Sequence, residues 1–125
     1  MKKYVVVIPS RYESKRLPGK PLIDILGKPM IQRVYEKCLE AVDNKHIYIA
    51  TDDNRIKLVA ENFGANVVMT SKECKTGTDR VAEFSQLIKA EYYINVQGDE
   101  PVFNPKDILE VIKSINKFKG EIING

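Results

Sequence analysis

The apolar residues of this chain fall into short blocks separated by polar stretches that carry glycine and proline. The first block, Tyr4–Ile8 (YVVVI), is continuous rather than alternating and rich in β-branched side chains. Such a run predicts a strand buried on both faces. Residues 9–28 turn polar and contain Pro9, Pro18, Gly19 and Pro21, which predicts a long loop. From Pro29 to Val42 the period changes. Ile31, Val34, Tyr35, Cys38, Leu39 and Val42 recur at helical spacing and predict a helix with that stripe inward. His46–Ala50 (HIYIA) predicts a second strand. Asp52 or Asp53 then suits the N-cap of a helix lined by Ile56, Val59, Ala60 and Phe63, and Gly64 suits its end. Ala65–Met69 predicts a third strand, followed by a polar loop over 70–77 and a helix near Thr78–Lys89. Tyr92–Val96 (YYINV) predicts strand four, and Gln97–Phe103 a loop. Asn104 caps a last helix with Pro105 at its first position and Ile108, Val111, Ile112 and Ile115 inward.

Strands and helices therefore alternate. That order predicts an α/β fold, a mostly parallel sheet with helices on both faces and right-handed crossovers. Ligands of such sheets bind outside the carboxyl ends of the strands. The loops after strands one, three and four converge there, so the pattern itself proposes a site.

Composition narrows the class. The chain has 125 residues, 43% hydrophobic and 30% charged, which fits one globular unit and excludes a disordered chain. No apolar run is long enough for a membrane span. The apolar stretch of MKKYVVVIPSR ends at Pro9 and is too short for a signal-peptide core, so a cytoplasmic protein is expected. A net charge of +3 is a weak signal for nucleic acid, and neither a nucleic-acid partner nor membrane insertion is expected. Cys38 and Cys74 lack metal-ligand spacing, and His46 is the sole histidine. A His/Cys zinc site or a Cys–His nucleophile is not expected.

The placement of charge says more than its total. Arg11, Lys15, Arg16 and Lys20 lie in the loop after strand one, opposed only by Glu13. Arginine forks and a lysine point charge suit phosphate oxygens, and Gly19 permits close backbone approach. The loop is no P-loop, because Ser14 stands where the first glycine belongs, and no GxGxxG occurs. A solvated charged loop is the competing reading. Gln97-Gly98-Asp99-Glu100-Pro101 follows strand four. Asp99 there can hold a magnesium ion, and Gln97 can read a base edge or ribose, although the same letters also make an ordinary turn. Thr76-Gly77-Thr78-Asp79-Arg80 offers hydroxyls and a helix N-terminus to an anion, or simply starts a helix. Asp52 and Asp53 read as a cap rather than a metal pair. Tyr92 and Tyr93 read as sheet packing.

Taken together, IPSRYESKRLPGKPL, GKPMIQRVYE, ATDD, VVMT with TGTDR, and YINVQGDEP resemble the N-terminal half of the 3-deoxy-manno-octulosonate (KDO) cytidylyltransferases, from about Val5 to Pro105. The sialic-acid cytidylyltransferases are similar in the first loop, but RLPGKPL and NVQGDEP fit the KDO enzymes better. The resemblance implies a Rossmann-like nucleotidyltransferase fold and transfer of CMP from CTP to the anomeric hydroxyl of KDO, with loss of pyrophosphate, for lipopolysaccharide or capsule synthesis. It implies Mg2+ as cofactor and a homodimer. By the same resemblance Arg16, Lys20 and Asp99 serve catalysis, Asp99 as the metal ligand. Pro9, Ser10, Arg11, Thr76, Gly77, Thr78 and Gln97 lie along the nucleotide.

Some positions depart from the family pattern. Ser10 stands where alanine is usual, and Glu13 adds a negative charge beside the phosphate loop. Ser71, Cys74 and Thr76 stand where arginine or another polar residue, histidine and serine are common. These changes bear on nucleotide preference, not reaction class. Family members are about twice as long, and the other half is implied to carry most sugar contacts, the dimer surface and a second metal-binding aspartate. Glu121–Gly125 reads like the start of another strand. The 125 residues are therefore expected to be the nucleotide-binding half, truncated at the C-terminus. Activation of another acidic sugar, a sugar-1-phosphate nucleotidyltransferase or glycosyltransferase of similar architecture, and a non-catalytic nucleotide-binding module are the alternatives.

Overall fold

A computed structural model describes residues 2–13 and 18–97, Lys106 and residues 108–110, and the backbone of 122–124. Its centre is strand β1 (Lys2–Ser10), whose residues from Val5 to Ser10 are all buried. Period-two geometry splits that run between two cores. Val6 and Ile8 face a cluster with Ile31, Val34, Cys38, Ile56 and Ile108. Val5 and Val7 face a second cluster with Ala50, Val81, Phe84 and Tyr93. This is why the strand reads as an unbroken apolar block.

After β1 come β2 (Asp24–Ile25), β3 (Lys28–Pro29), α1 (Met30–Leu39), β4 (Ile47–Thr51), α2 (Asn54–Asn62), β5 (Asn66–Met69), α3 (Gly77–Leu87), β6 (Ala90–Asn95) and β7 (Ile122–Asn124). Five strands form one sheet in the order β5-β4-β1-β6-β7, and every pair is parallel. Helices α1 and α2 cover one face and α3 the other. The order of strand addition reverses between β1 and β6, since β4 and β5 are added on one side of β1 and β6 and β7 on the other. The expected α/β architecture is the observed one.

Several boundaries differ from the sequence reading. Strand β1 runs on through Pro9 and Ser10, because both pair with β4. The stretch expected to be loop also holds a 3-10 turn (Lys20–Leu22) and the β2–β3 hairpin. Leu26 and Gly27 join its two strands, both at positive φ, 52° and 94°. That is the signature of a type I′ turn, here without the usual asparagine to announce it. Arg33 fixes the hairpin by donating to the Ile25 and Leu26 carbonyls at 2.8 and 2.7 Å. Helix α1 is shorter than its apolar stripe, and Leu39 is exposed while Val42 is buried beyond the helix end. His46 belongs to a 3-10 turn and stacks on Tyr4, with ring centroids 4.5 Å apart. Asp53, not Asp52, caps α2, accepting from the Arg55 and Ile56 N–H groups. Cys38 is buried, and its thiol is pushed up to about 12 by burial alone. Tyr92 and Tyr93 are buried in the sheet, as read.

Candidate active site

At the reversal point a cleft of about 330 Å³ opens at the carboxyl ends of the strands. Pro9, Ser10 and Arg11 reach it from the end of β1, Lys20 and Pro21 from the 3-10 turn, Thr76 and Gly77 from the start of α3, and Gln97 from just after β6. The topology alone dictates this meeting, because β1 and β6 are adjacent and parallel, with Val7 opposite Asn95.

Each wall has a local cause. Ser10 is buried, its hydroxyl turned back to the Ile8 carbonyl at 3.4 Å. Arg11 is exposed at the rim and donates to the Lys75 carbonyl at 3.2 Å, which joins the first loop to the loop before α3. Gly19, at φ 73°, caps the 3-10 turn from the left-handed region and so turns the chain to present Lys20. Thr76 begins α3 with a capping box. Its hydroxyl oxygen accepts from Asp79 N–H, and the Asp79 carboxylate accepts from Thr76 N–H. The N–H groups of Gly77 and Thr78 have no partner within the helix, so a positive dipole end faces the cleft. Gly77 lies against Gln97. A Cβ there would sit 3.1 Å from both terminal atoms of Gln97 and 3.3 Å from Pro9 Cγ.

Of the residues expected at the site, Pro9, Ser10, Arg11, Lys20, Thr76, Gly77 and Gln97 converge on this cleft. Thr78 sits one residue further along α3, exposed and off the cleft lining. Arg16, Asp99 and Glu100 lie outside the described residues.

The sequence reading missed Arg80. It is 2% exposed, and its guanidinium donates to Thr70 Oγ1 at 2.5 Å and to the Ser71 carbonyl at 3.2 Å. Asp52 lies 3.9 Å away, a loose ion pair for a desolvated cation. The signal was present in the sequence, since Arg80 precedes Phe84 by one helical turn on the inward stripe. Glu83, one turn on, accepts from Ser71 N–H at 2.7 Å. It also receives the Cys74 thiol at 3.7 Å. The Cys74 thiol is raised by burial, against Arg80, with Glu83 adding to the rise. Side chains of α3 thus hold the very loop that precedes the helix.

A second cleft of about 270 Å³ adjoins the first and shares Arg11 and Arg80 with it. Its carboxylates include Asp52, beside Arg80, and Asp53, committed to the α2 cap and to Arg55. Among the described residues no cluster of three or more metal-ligating side chains occurs. The main cleft is lined by N–H donors and cations with no described carboxylate, which suits an anion such as a polyphosphate.

Comparison with known proteins gives a consistent result. A family model described as cytidylyltransferase matches residues 5–121. The chain is 46% identical over 115 residues to the 3-deoxy-manno-octulosonate cytidylyltransferase of Escherichia coli, covering 92% of this chain and 47% of that protein. It is 48% identical over 120 residues to an 8-amino-3,8-dideoxy-manno-octulosonate cytidylyltransferase of Shewanella sp. strain W3-18-1, covering 94% of this chain and 49% of that one. Among solved structures it is similar to a CMP:2-keto-3-deoxy-manno-octonic acid synthetase complexed with CTP. The TM-score is 0.87 at 45% identity, over 93% of this chain and 48% of that chain. A cytidylyltransferase from Leptospira borgpetersenii shares the fold, with a TM-score of 0.79 at 18% identity. The chain spans about half the length of the relatives it matches.

Proposed function

The chain belongs to the cytidylyltransferase family, and from that premise we propose that it is the nucleotide-binding half of an enzyme transferring CMP from CTP to the anomeric hydroxyl of KDO. The observation that carries the reading is the switch-point cleft. Four basic residues, Arg11, Lys20, Lys75 and Arg80, a capped helix N-terminus and Gln97 meet there around a space free of described carboxylates. CTP is a triphosphate joined to a base, and this lining supplies both cations for the one and a paired donor and acceptor for the other.

In the reaction the sugar hydroxyl oxygen forms a bond to the α-phosphorus and gives up its proton to solvent. The bond from that phosphorus to the bridging oxygen breaks, and pyrophosphate leaves with the electron pair. Negative charge grows on the leaving oxygens, and cations fixed beforehand around them lower the barrier without reorganisation. We assign that part to Arg16 and Lys20. Arg11, held on the Lys75 carbonyl, orients the nucleotide together with Pro9, Ser10, Thr76, Gly77 and Gln97, and Thr78 contributes through the first turn of α3. Magnesium, when bound, would neutralise negative charge developing on the phosphates. Asp99 is the side chain we assign to hold it. An acidic sugar is the acceptor, a homodimer the assembly and the cytoplasm the compartment in this reading. Among the described residues no helix is long and apolar enough to cross a membrane.

The test is pyrophosphate release by the full protein with CTP, magnesium and KDO. Turnover with KDO is expected, and turnover with UTP but not CTP would overturn the reading. Calorimetry should show Arg16→Ala weakening CTP binding more than CMP binding. Asp99→Asn should keep CTP binding and lose magnesium-dependent turnover. A second acceptor is the 8-amino sugar: relatives named for it, at 48% identity, fall within the 46–52% spanned by those named for KDO. Competition between the two sugars in the same assay decides between them.

A further inference from the structure

The first loop is gripped at its base by residues that the cleft does not use. Tyr12 is half-buried against the core cluster on the α1–α2 face. The Arg55 guanidinium lies over its ring, 3.3 Å from the centroid. Arg55 is itself steered by Asp53, with Nη2 and Nε donating to the two carboxylate oxygens at 2.8 and 3.2 Å. On the loop side Gly19 closes the grip. Its N–H donates to the Tyr12 carbonyl at 2.7 Å, and a Cβ on it would stand 2.8 Å from Tyr12 Cε2. The chain thus leaves at Tyr12 and returns at Gly19, with Lys20 beginning the next turn in the cleft.

Resting on the functional reading above, we propose that Tyr12 and Arg55 are positioning residues. They clamp the chain between Tyr12 and Gly19 so that Lys20, the next residue, is held in the cleft for the phosphates of the nucleotide. The clamp has three independent supports: the cation over the ring, the orienting carboxylate, and a glycine whose missing side chain makes room for the ring. Its energy source is local. A guanidinium over an aromatic face attracts the ring electrostatically, and pre-orientation by Asp53 reduces the rotamer freedom lost in making that contact. Arg55 does not line the main cleft, so it acts on a ligand there through Tyr12; both residues line the adjoining cleft.

The experiment compares wild type with Arg55→Gln, Arg55→Lys and Tyr12→Phe in the full protein. Trypsin cuts after Lys15 or Arg16, both between the clamp's two halves, and the cleavage rate there reads the loop without any ligand. Calorimetry with CTP and with CMP reads the phosphate contacts. Arg55→Gln is expected to speed cleavage about fivefold and to weaken CTP by a similar factor, with CMP affected less than twofold. Arg55→Lys should fall between, and Tyr12→Phe, which keeps the ring, should restore both readouts. The thermal midpoint of Arg55→Gln should stay near wild type, because Arg55 is surface-exposed. Unchanged cleavage in Arg55→Gln would overturn the clamp. Faster cleavage with undiminished CTP affinity would overturn its role in positioning. A wild-type protein without affinity for CTP would overturn the functional reading, while the cleavage comparison still decides the clamp.

Discussion

Gly77 shows how much one missing methyl group can carry. Its backbone lies so close to Gln97 and Pro9 that an added Cβ would sit 3.1 to 3.3 Å from both. Alanine is the better helix former, so Gly77→Ala leaves stability unchanged or slightly raised, by less than ~1 kcal/mol. The displaced group would be the Gln97 side chain, just after β6, which we propose contacts the nucleotide. CTP affinity should therefore fall severalfold in calorimetry while the melting temperature holds. Equal affinity would show that Gln97 does not contact the nucleotide. At this scale the sequence was partly legible. Arg11 and Lys20 stood out because charge and loop position coincide, and Gln97 because it directly follows a buried strand. Arg80 did not, because its place on the inward stripe becomes telling only once the loop it holds is seen.

Helix α2 is the element whose start can be titrated. Asp53 accepts from two backbone N–H groups and from Arg55, and its carboxyl is held below the usual carboxylate range, first by the Arg55 hydrogen bond and then by the backbone donors, against burial. A depressed native value stabilises the fold at pH above the unfolded value, ~3.9. That contribution fades as pH falls through the native value. At pH 7 Asp53→Ala should cost about 1 kcal/mol in urea unfolding, as for a lost N-cap. The gap to wild type should shrink as pH falls below about 4, where the unfolded carboxyl takes up its proton first and the native one follows at lower pH. A gap constant from pH 7 to pH 3 would contradict the assignment. The helix periods and the buried strand were plain in the sequence, for apolar spacing follows directly from backbone geometry. The β2–β3 hairpin was not. Its turn uses Leu26, a poor residue for positive φ, and its hold comes from Arg33 in the next helix, a tertiary contact that no local pattern records.

For the molecule as a whole, the α3 face of the sheet depends on Phe84. It is fully buried and packs its ring at 5.4 Å from Tyr48 and 6.2 Å from Tyr93. Phe84→Ala should cost ~3–5 kcal/mol, enough to unfold a marginal domain. The loss should appear as a lower urea midpoint with an unchanged slope. Strand and helix order alone gave the parallel sheet and placed the site at its carboxyl end. Order does not determine adjacency, and the position of β1 between β4 and β6 emerged only from the register.

That position has a consequence in time. Strand β1 is synthesised first, yet Val6 finds one neighbour at Ile47 and the other at Ile94. Between the end of β1 and the start of β6 the ribosome, at ~5–20 residues per second, takes roughly 4–16 s. Throughout that interval the VVVI strand has one open hydrogen-bonding edge. Pairings so distant along the chain also make for slow folding. The cleft can therefore form only after β6 has docked.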